Sequence, residues 1–300
     1  MVAPALLLAW SLLAPAAALR VVQPTSSSAR AGSVTSARQV ATRRAALLGT
    51  ATAALCAAMP AASHAAGNDR KKFERAVAEA YTAFTKGNYV ESERLWAQAT
   101  VDYPEEALAW QNLATVLVIN ASEQMTLGQL PTGEALQRLQ RALAAFDKAE
   151  DLGEADALVV NARGNALGLL QRWEEAHTAY AASVDLSPRD FESIPLSNQA
   201  LTSFELGRGD DAEREALRLT RRDPNFRDGY ALLATLRHSR GDEAGAASAF
   251  RTLCSEEQWC ERYSTDAVVV GRWTPRAVTA FRSLLRAPAI QDVRAAKALS

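Results

Sequence analysis

Apolar residues along this chain fall at the three- and four-residue spacings of helices. Trp110, Leu113, Ala114 and Leu117 sit at i, i+3, i+4 and i+7, and Val278, Phe281, Leu284 and Leu285 form another such face. The short apolar run AVVVG at 267–271 reads as a brief extended connector, and no longer strand pattern stands out. The pattern also recurs at long range. Counting Ala157 as position 1, Gly164 falls at 8, Ala176 at 20, Tyr180 at 24 and Pro188 at 32. Counting from Arg227, Ala234, Gly241, Ala246 and Phe250 take 8, 15, 20 and 24. From Ser193, Ala200, Gly207, Ala212 and Pro224 take 8, 15, 20 and 32, with Ala216 at the aromatic place. From Phe73, Ala80, Gly87, Trp96 and Pro104 take 8, 15, 24 and 32, with Ser92 at 20. Small residues at 8 and 20 let two antiparallel helices approach closely. The aromatic fills the gap between them, and the proline stops the second helix.

These units resemble the tetratricopeptide repeat, a helix–turn–helix module of 34 residues, and ALVVNARGNALGLLQRWEEAHTAYAASVDLSPRD at 157–190 looks like one complete repeat. The resemblance implies an all-α, right-handed superhelical solenoid of about five repeats over 67–254. Each repeat buries its apolar stripe only against its neighbours, so the last one needs a cap. Residues 255–300 are expected to supply it, with Thr274 as N-cap and Pro275 at the first position of a helix, and with Trp259 and Trp273 packed there. The segment RWTPRAVTAF resembles the tails of plastid-lumen tetratricopeptide proteins.

One unit is split. Its first helix begins at Ala107, but Ala142, Phe146 and Ala149 resume the second helix late, leaving an insertion near 120–138 with Gly128, Pro131 and Gly133. It reads either as a longer loop with an extended second helix or as a binding or regulatory loop, since insertions in solenoids gather on one working face.

In this repeat class, positions 2, 5, 9 and 12 of each first helix line a concave groove that binds protein. Here the resemblance assigns Gln111, Thr115, Asn161, Asn165, Ser197, Leu201, Phe204, Thr235 and His238 to it. Asn161 and Asn165 stand one turn apart, so their amides either meet a ligand backbone or hydrogen-bond within the solenoid. Positions 5 are Gln111, Asn161, Ser197 and Ala231, not the basic cluster with which chaperone-binding members hold a C-terminal carboxylate. A mixed apolar and amide groove suits an internal peptide segment or a helix of a partner.

The first 66 residues differ in kind. They contain no Asp, Glu or Lys and hold Arg20, Arg30, Arg38, Arg43 and Arg44. VAPALLLAWSLLAPAAA reads as a signal peptide, the Ser- and Arg-rich stretch after it as a transit peptide, and Arg43–Arg44 with the apolar run behind them as a twin-arginine export signal. This order resembles the import leader of algae with complex plastids, although Leu19 stands where such leaders carry an aromatic. It implies delivery to the thylakoid lumen and a mature chain starting near Ala66. Bacterial export to the periplasm is the alternative address. Of 33 basic residues, 33 − 5 = 28 remain after the leader against 34 acidic ones, so the body carries 28 − 34 = −6. Nothing there resembles the basic stripe of a nucleic-acid binder.

Little of the body suggests chemistry. His177 and His238 are far apart, and no metal-ligand spacing, phosphate loop or nucleophile motif appears. No catalytic residue, metal or cofactor is expected. Cys254 and Cys260 form either a disulfide or two free thiols, and a bond requires the helix to end between them. Asn120-Ala121-Ser122 matches a glycosylation acceptor. The expected function is a non-catalytic interaction scaffold in the lumen that meets membranes only through its partner. Its alternatives are a structural or regulatory subunit using the convex face or inserted loop, and a periplasmic or secreted adaptor.

Overall fold

The computed structural model describes residues 60–298 apart from 154–155 and 189–190. The leader signals before Pro60, Arg43 and Arg44 included, lie outside the described residues. Among the described residues there are thirteen α-helices and one 3₁₀ turn, with no strand.

Ten helices form five antiparallel pairs. They are α1 (Pro60–Thr85) with α2 (Tyr89–Asp102), α3 (Ala107–Ser122) with α4 (Gly133–Asp151), α5 (Ala157–Leu169) with α6 (Trp173–Leu186), α7 (Ser193–Glu205) with α8 (Gly209–Arg222), and α9 (Arg227–Ser239) with α10 (Glu243–Leu253). Each second helix packs on the first helix of the next pair, so every apolar stripe is closed by a neighbour. The fold is a tetratricopeptide solenoid. The third pair shows why small residues recur: a Cβ added at Gly164 would stand 2.6 Å from Tyr180 Cε1.

The insertion resolves into local lengthening. α3 has 16 residues where α5, α7 and α9 have 13, and α4 has 19 where α2, α6 and α8 have 14. A loop at 123–132 joins them. The added part of α4 is pinned by a nearly buried ion pair, Arg138 Nε to Glu93 Oε2 at 2.9 Å. The same carboxylate oxygen accepts from Asn120 Nδ2 at 2.8 Å. Asn120 is buried, and its Nδ2 also donates to the Tyr89 carbonyl, so the acceptor pattern at 120–122 lies with its asparagine nitrogen bonded inside the fold.

After α10 the chain makes α11 (Glu257–Arg262), a 3₁₀ turn at Asp266–Val268, α12 (Pro275–Leu284) and α13 (Pro288–Ala298). Cys254 and Cys260 are disulfide-bonded. The helix ends at Leu253, immediately before Cys254, and the chain turns before Cys260 enters the next helix. The expected extended connector at 267–271 is instead a tight turn, because the Asp266 carbonyl accepts from the Val269 and Val270 amides. The tail divides in two. α13 packs on α10 at the end of the stack, while α12 turns back onto α7 and α9, two first helices, and so lies on the inner face. Val278, Phe281 and Leu284 are fully buried and Trp273 nearly so. Each such side chain contributes roughly 1.5–3 kcal/mol by leaving water, which is what draws this arm inward.

Candidate protein-binding site on the inner face

The first helices α5 and α7 bring three amides together. Asn198 Nδ2 donates to Asn161 Oδ1 at 3.1 Å and lies 3.5 Å from Asn165 Oδ1, which accepts from Tyr180 Oη at 2.9 Å. Burial pushes the Tyr180 phenol well above its ordinary value, so it remains a donor at any physiological pH. Asn161 is thus bonded within the solenoid, as is the carbonyl side of Asn165. The Asn165 Nδ2 is buried with no protein partner.

The other groove residues expected from the sequence are placed as follows. Gln111 is buried on α3 with Oε1 unpartnered, and the Thr115 hydroxyl donates to the Gln111 carbonyl at 2.9 Å. Ser197, Leu201, Phe204 and Thr235 are buried, and the Thr235 hydroxyl is spent on the Ala231 carbonyl. Over the fourth and fifth pairs the occupant of the groove is the chain's own arm. The Arg276 guanidinium sits 4.7 Å from the Phe204 ring centroid, and the Arg276 amide donates to Glu205 Oε2 at 3.0 Å. Thr274 occupies the N-cap position as expected, but its hydroxyl makes no capping bond, and Glu205 serves α12 instead.

His238 bridges Glu243 Oε1 at 2.8 Å through Nδ1 and Ser283 Oγ at 3.1 Å through Nε2. The order Ser–His–carboxylate resembles a hydrolytic relay. Ser283, however, is the penultimate residue of α12, at the carbonyl end of the helix, where the dipole opposes a developing anion. The bridge acts as a latch that holds the arm against α9.

The inner face is open beside the third pair. A cavity of about 200 Å³ lies where the 123–132 loop, the third pair, α7 and the start of the arm converge. Asn165 and Leu201 are the expected groove residues that line it. The loop contributes Met125 and Leu127, and the arm contributes Trp273 and Thr274. The loop is tied across by Gln171, whose Nε2 donates to the Gly128 carbonyl at 3.2 Å. Arg272 lies in the wall but is committed elsewhere. It pairs bidentately with Asp228, which also accepts from the Tyr263 hydroxyl, and its Nε donates to the Val268 carbonyl. Burial works against its charge, but Asp228 outweighs that and holds its pKa above the ordinary value.

Sequence reasoning had not assigned Asn198, Trp173 or the loop residues to this site. Asn198 lies one position beyond a groove position, and the length of the insertion was the one visible sign of a wall. Among the described residues no cluster of three or more His, Cys, Asp or Glu could hold a metal ion. Among them also, no helix is long and apolar enough to cross a membrane.

No protein-family model and no curated protein matches the chain. Solved structures resemble it in fold. Pseudomonas aeruginosa PilF shares 16% identity, covering 77% of this chain and 91% of that one, with a TM-score of 0.53. PilW, a widely conserved type IV pilus biogenesis factor, shares 16%, covering 74% and 97%, with a TM-score of 0.52. MamA shares 14%, covering 66% and 96%, with a TM-score of 0.51. Their likeness to this chain is in the tetratricopeptide solenoid.

Proposed function

We propose that this chain is a non-catalytic protein–protein interaction scaffold of the thylakoid lumen, which holds a protein during assembly or maintenance of a photosynthetic complex. The scaffold reading is carried by one observation: five helical pairs build a continuous inner face that holds an open cavity beside the third pair. A peptide segment or helix of the partner enters there, needs no cofactor, and provides the only link to the membrane. The address is supported by the leader, where a signal peptide, a transit peptide and the Arg43–Arg44 signal follow in the order of membranes to be crossed. A second reading, in which the inserted loop is itself the contact surface, is favoured by the tether from Gln171 that holds the loop over the inner face.

Affinity capture from solubilised membranes of the source cell tests the proposal. Recovery of thylakoid-complex subunits is the expected result. Recovery only of proteins from another compartment would overturn the address while leaving the scaffold.

A further inference from the structure

We infer that the partner segment carries an aspartate or glutamate whose side-chain carboxylate pairs with Arg276, in a groove that runs on from the cavity along the arm. This rests on the scaffold reading and adds the charge of what is held. The groove adjoins the cavity, since Pro275 lines both. Past Pro275 its walls are the end of α7 at Phe204 and Glu205, the α9–α10 turn at Arg240, and the face of α12 from Arg276 to Ser283. A segment seated beside the third pair is led past Arg276.

Three arginines line the two openings, and two of them are already matched. Arg272 is paired with Asp228, and Arg240 with Asp210 and Glu213. Arg276 is exposed, and among the described residues its guanidinium makes no ion pair and no hydrogen bond. The other charged residue in this wall is Glu205. Its Oε2 accepts from the Arg276 main-chain N–H at 3.0 Å, at the positive end of α12. That oxygen is spent on the backbone, and the Arg276 fork is left for a partner.

The fork is also held in place. Its guanidinium lies against the Phe204 ring, 4.7 Å from the centroid, and stacking on one face leaves the N–H edge available. Nη1 lies over the turn between α7 and α8, 3.5 Å from where a Cβ on Gly207 would stand. Gly207 has φ +79°, as Gly87 and Gly241 have +74° and +81° in the first and fifth repeats. The third repeat has Gln171 at φ +56° in this turn, and there the side chain reaches across to the 123–132 loop. Gly207 has no side chain to cover Arg276 in that way. A fork oriented in advance makes two parallel bonds to a carboxylate at less entropic cost than a free side chain does. A lysine or arginine in the same place would meet a like charge.

The test is selection of random peptides, each fused through its C-terminus to the RNA that encodes it, on the immobilised full chain. No member then has a free C-terminal carboxylate, so an acidic preference reports side chains. The wild type is expected to enrich Asp or Glu at one position. Arg276→Gln should abolish that preference, and Arg276→Glu should replace it with Lys or Arg, a reversal that mere loss of packing on Phe204 does not produce. Two variants keep the test decisive should one fail to fold. Calorimetry with the leading peptide completes a double-mutant cycle. Its Asn or Gln analogue should bind the wild type about fivefold more weakly, the upper range for an exposed pair, and should be indifferent to Arg276→Gln. No acidic preference, the same preference in a folded variant, or equal binding of the acidic peptide and its amide analogue overturns the inference. Absence of any enriched peptide overturns it as well. If the chain still captures thylakoid subunits in that case, the scaffold reading stands; if capture also fails, both fall.

Discussion

At Gly164 a methyl group would stand 2.6 Å from Tyr180 Cε1, whereas at Gly168 the nearest neighbour, Trp173 Cζ3, is 3.5 Å away. The two glycines share one helix and are separated by one turn, so they isolate packing from propensity. Gly164→Ala overpacks the helix pair and costs about 1–3 kcal/mol. Gly168→Ala meets ordinary contact and gains about 0.5–1 kcal/mol of helix preference. Thermal melts followed by circular dichroism should show a lower midpoint for the first and an equal or higher one for the second. Gln171→Gly belongs in the same series. It relieves a left-handed backbone worth about 1–2 kcal/mol, so its midpoint should rise. The same change removes the bond to Gly128, and amide exchange in residues 123–132 should quicken. A lower midpoint would mean that the tether, not the backbone, dominates at this residue.

Among the elements, the arm is the one whose role energetics decides. Releasing it would expose Trp273, Val278, Phe281 and Leu284 at roughly 1.5–3 kcal/mol each. That total is of the order of the 5–15 kcal/mol that holds a whole domain folded. α12 is therefore part of the fold and not a lid that opens for a partner. The Cys254–Cys260 bond closes a short loop and contributes roughly 2 kcal/mol by chain entropy, too little to seat the arm by itself. Reduction should thus lower the melting midpoint while α12 amides keep the protection of the core helices in hydrogen exchange. Loss of α12 protection on reduction, with the five pairs intact, would make the disulfide the anchor. The inserted loop differs in kind: Leu127 and Leu130 are exposed, and it is tied to the solenoid through Gln171.

For the whole molecule, the repeat was legible because its determinants are local. Gly164 against Tyr180 is settled within one pair, and the same spacing elsewhere announces the same contact. Positions such as Phe204 and His238 were correctly placed on first helices, yet their role depended on where α12 would go. That is decided by contacts more than forty residues apart, such as His238 with Ser283, which no spacing rule encodes. Asn198 was missed for the same reason: its partners, Asn161 and Asn165, lie in the preceding repeat. The resulting picture is a solenoid whose own arm packs into the end of its groove, with a roofed opening beside the third pair. A photoreactive amino acid at Gln129, on the cavity loop, tests that picture directly when compared with one at Asp185, exposed on the second helix α6. Irradiated in a lysate of the source cell, Gln129 should cross-link a discrete protein and Asp185 should not. A cross-link from Asp185 with none from Gln129 would place binding on the outer face and contradict the account.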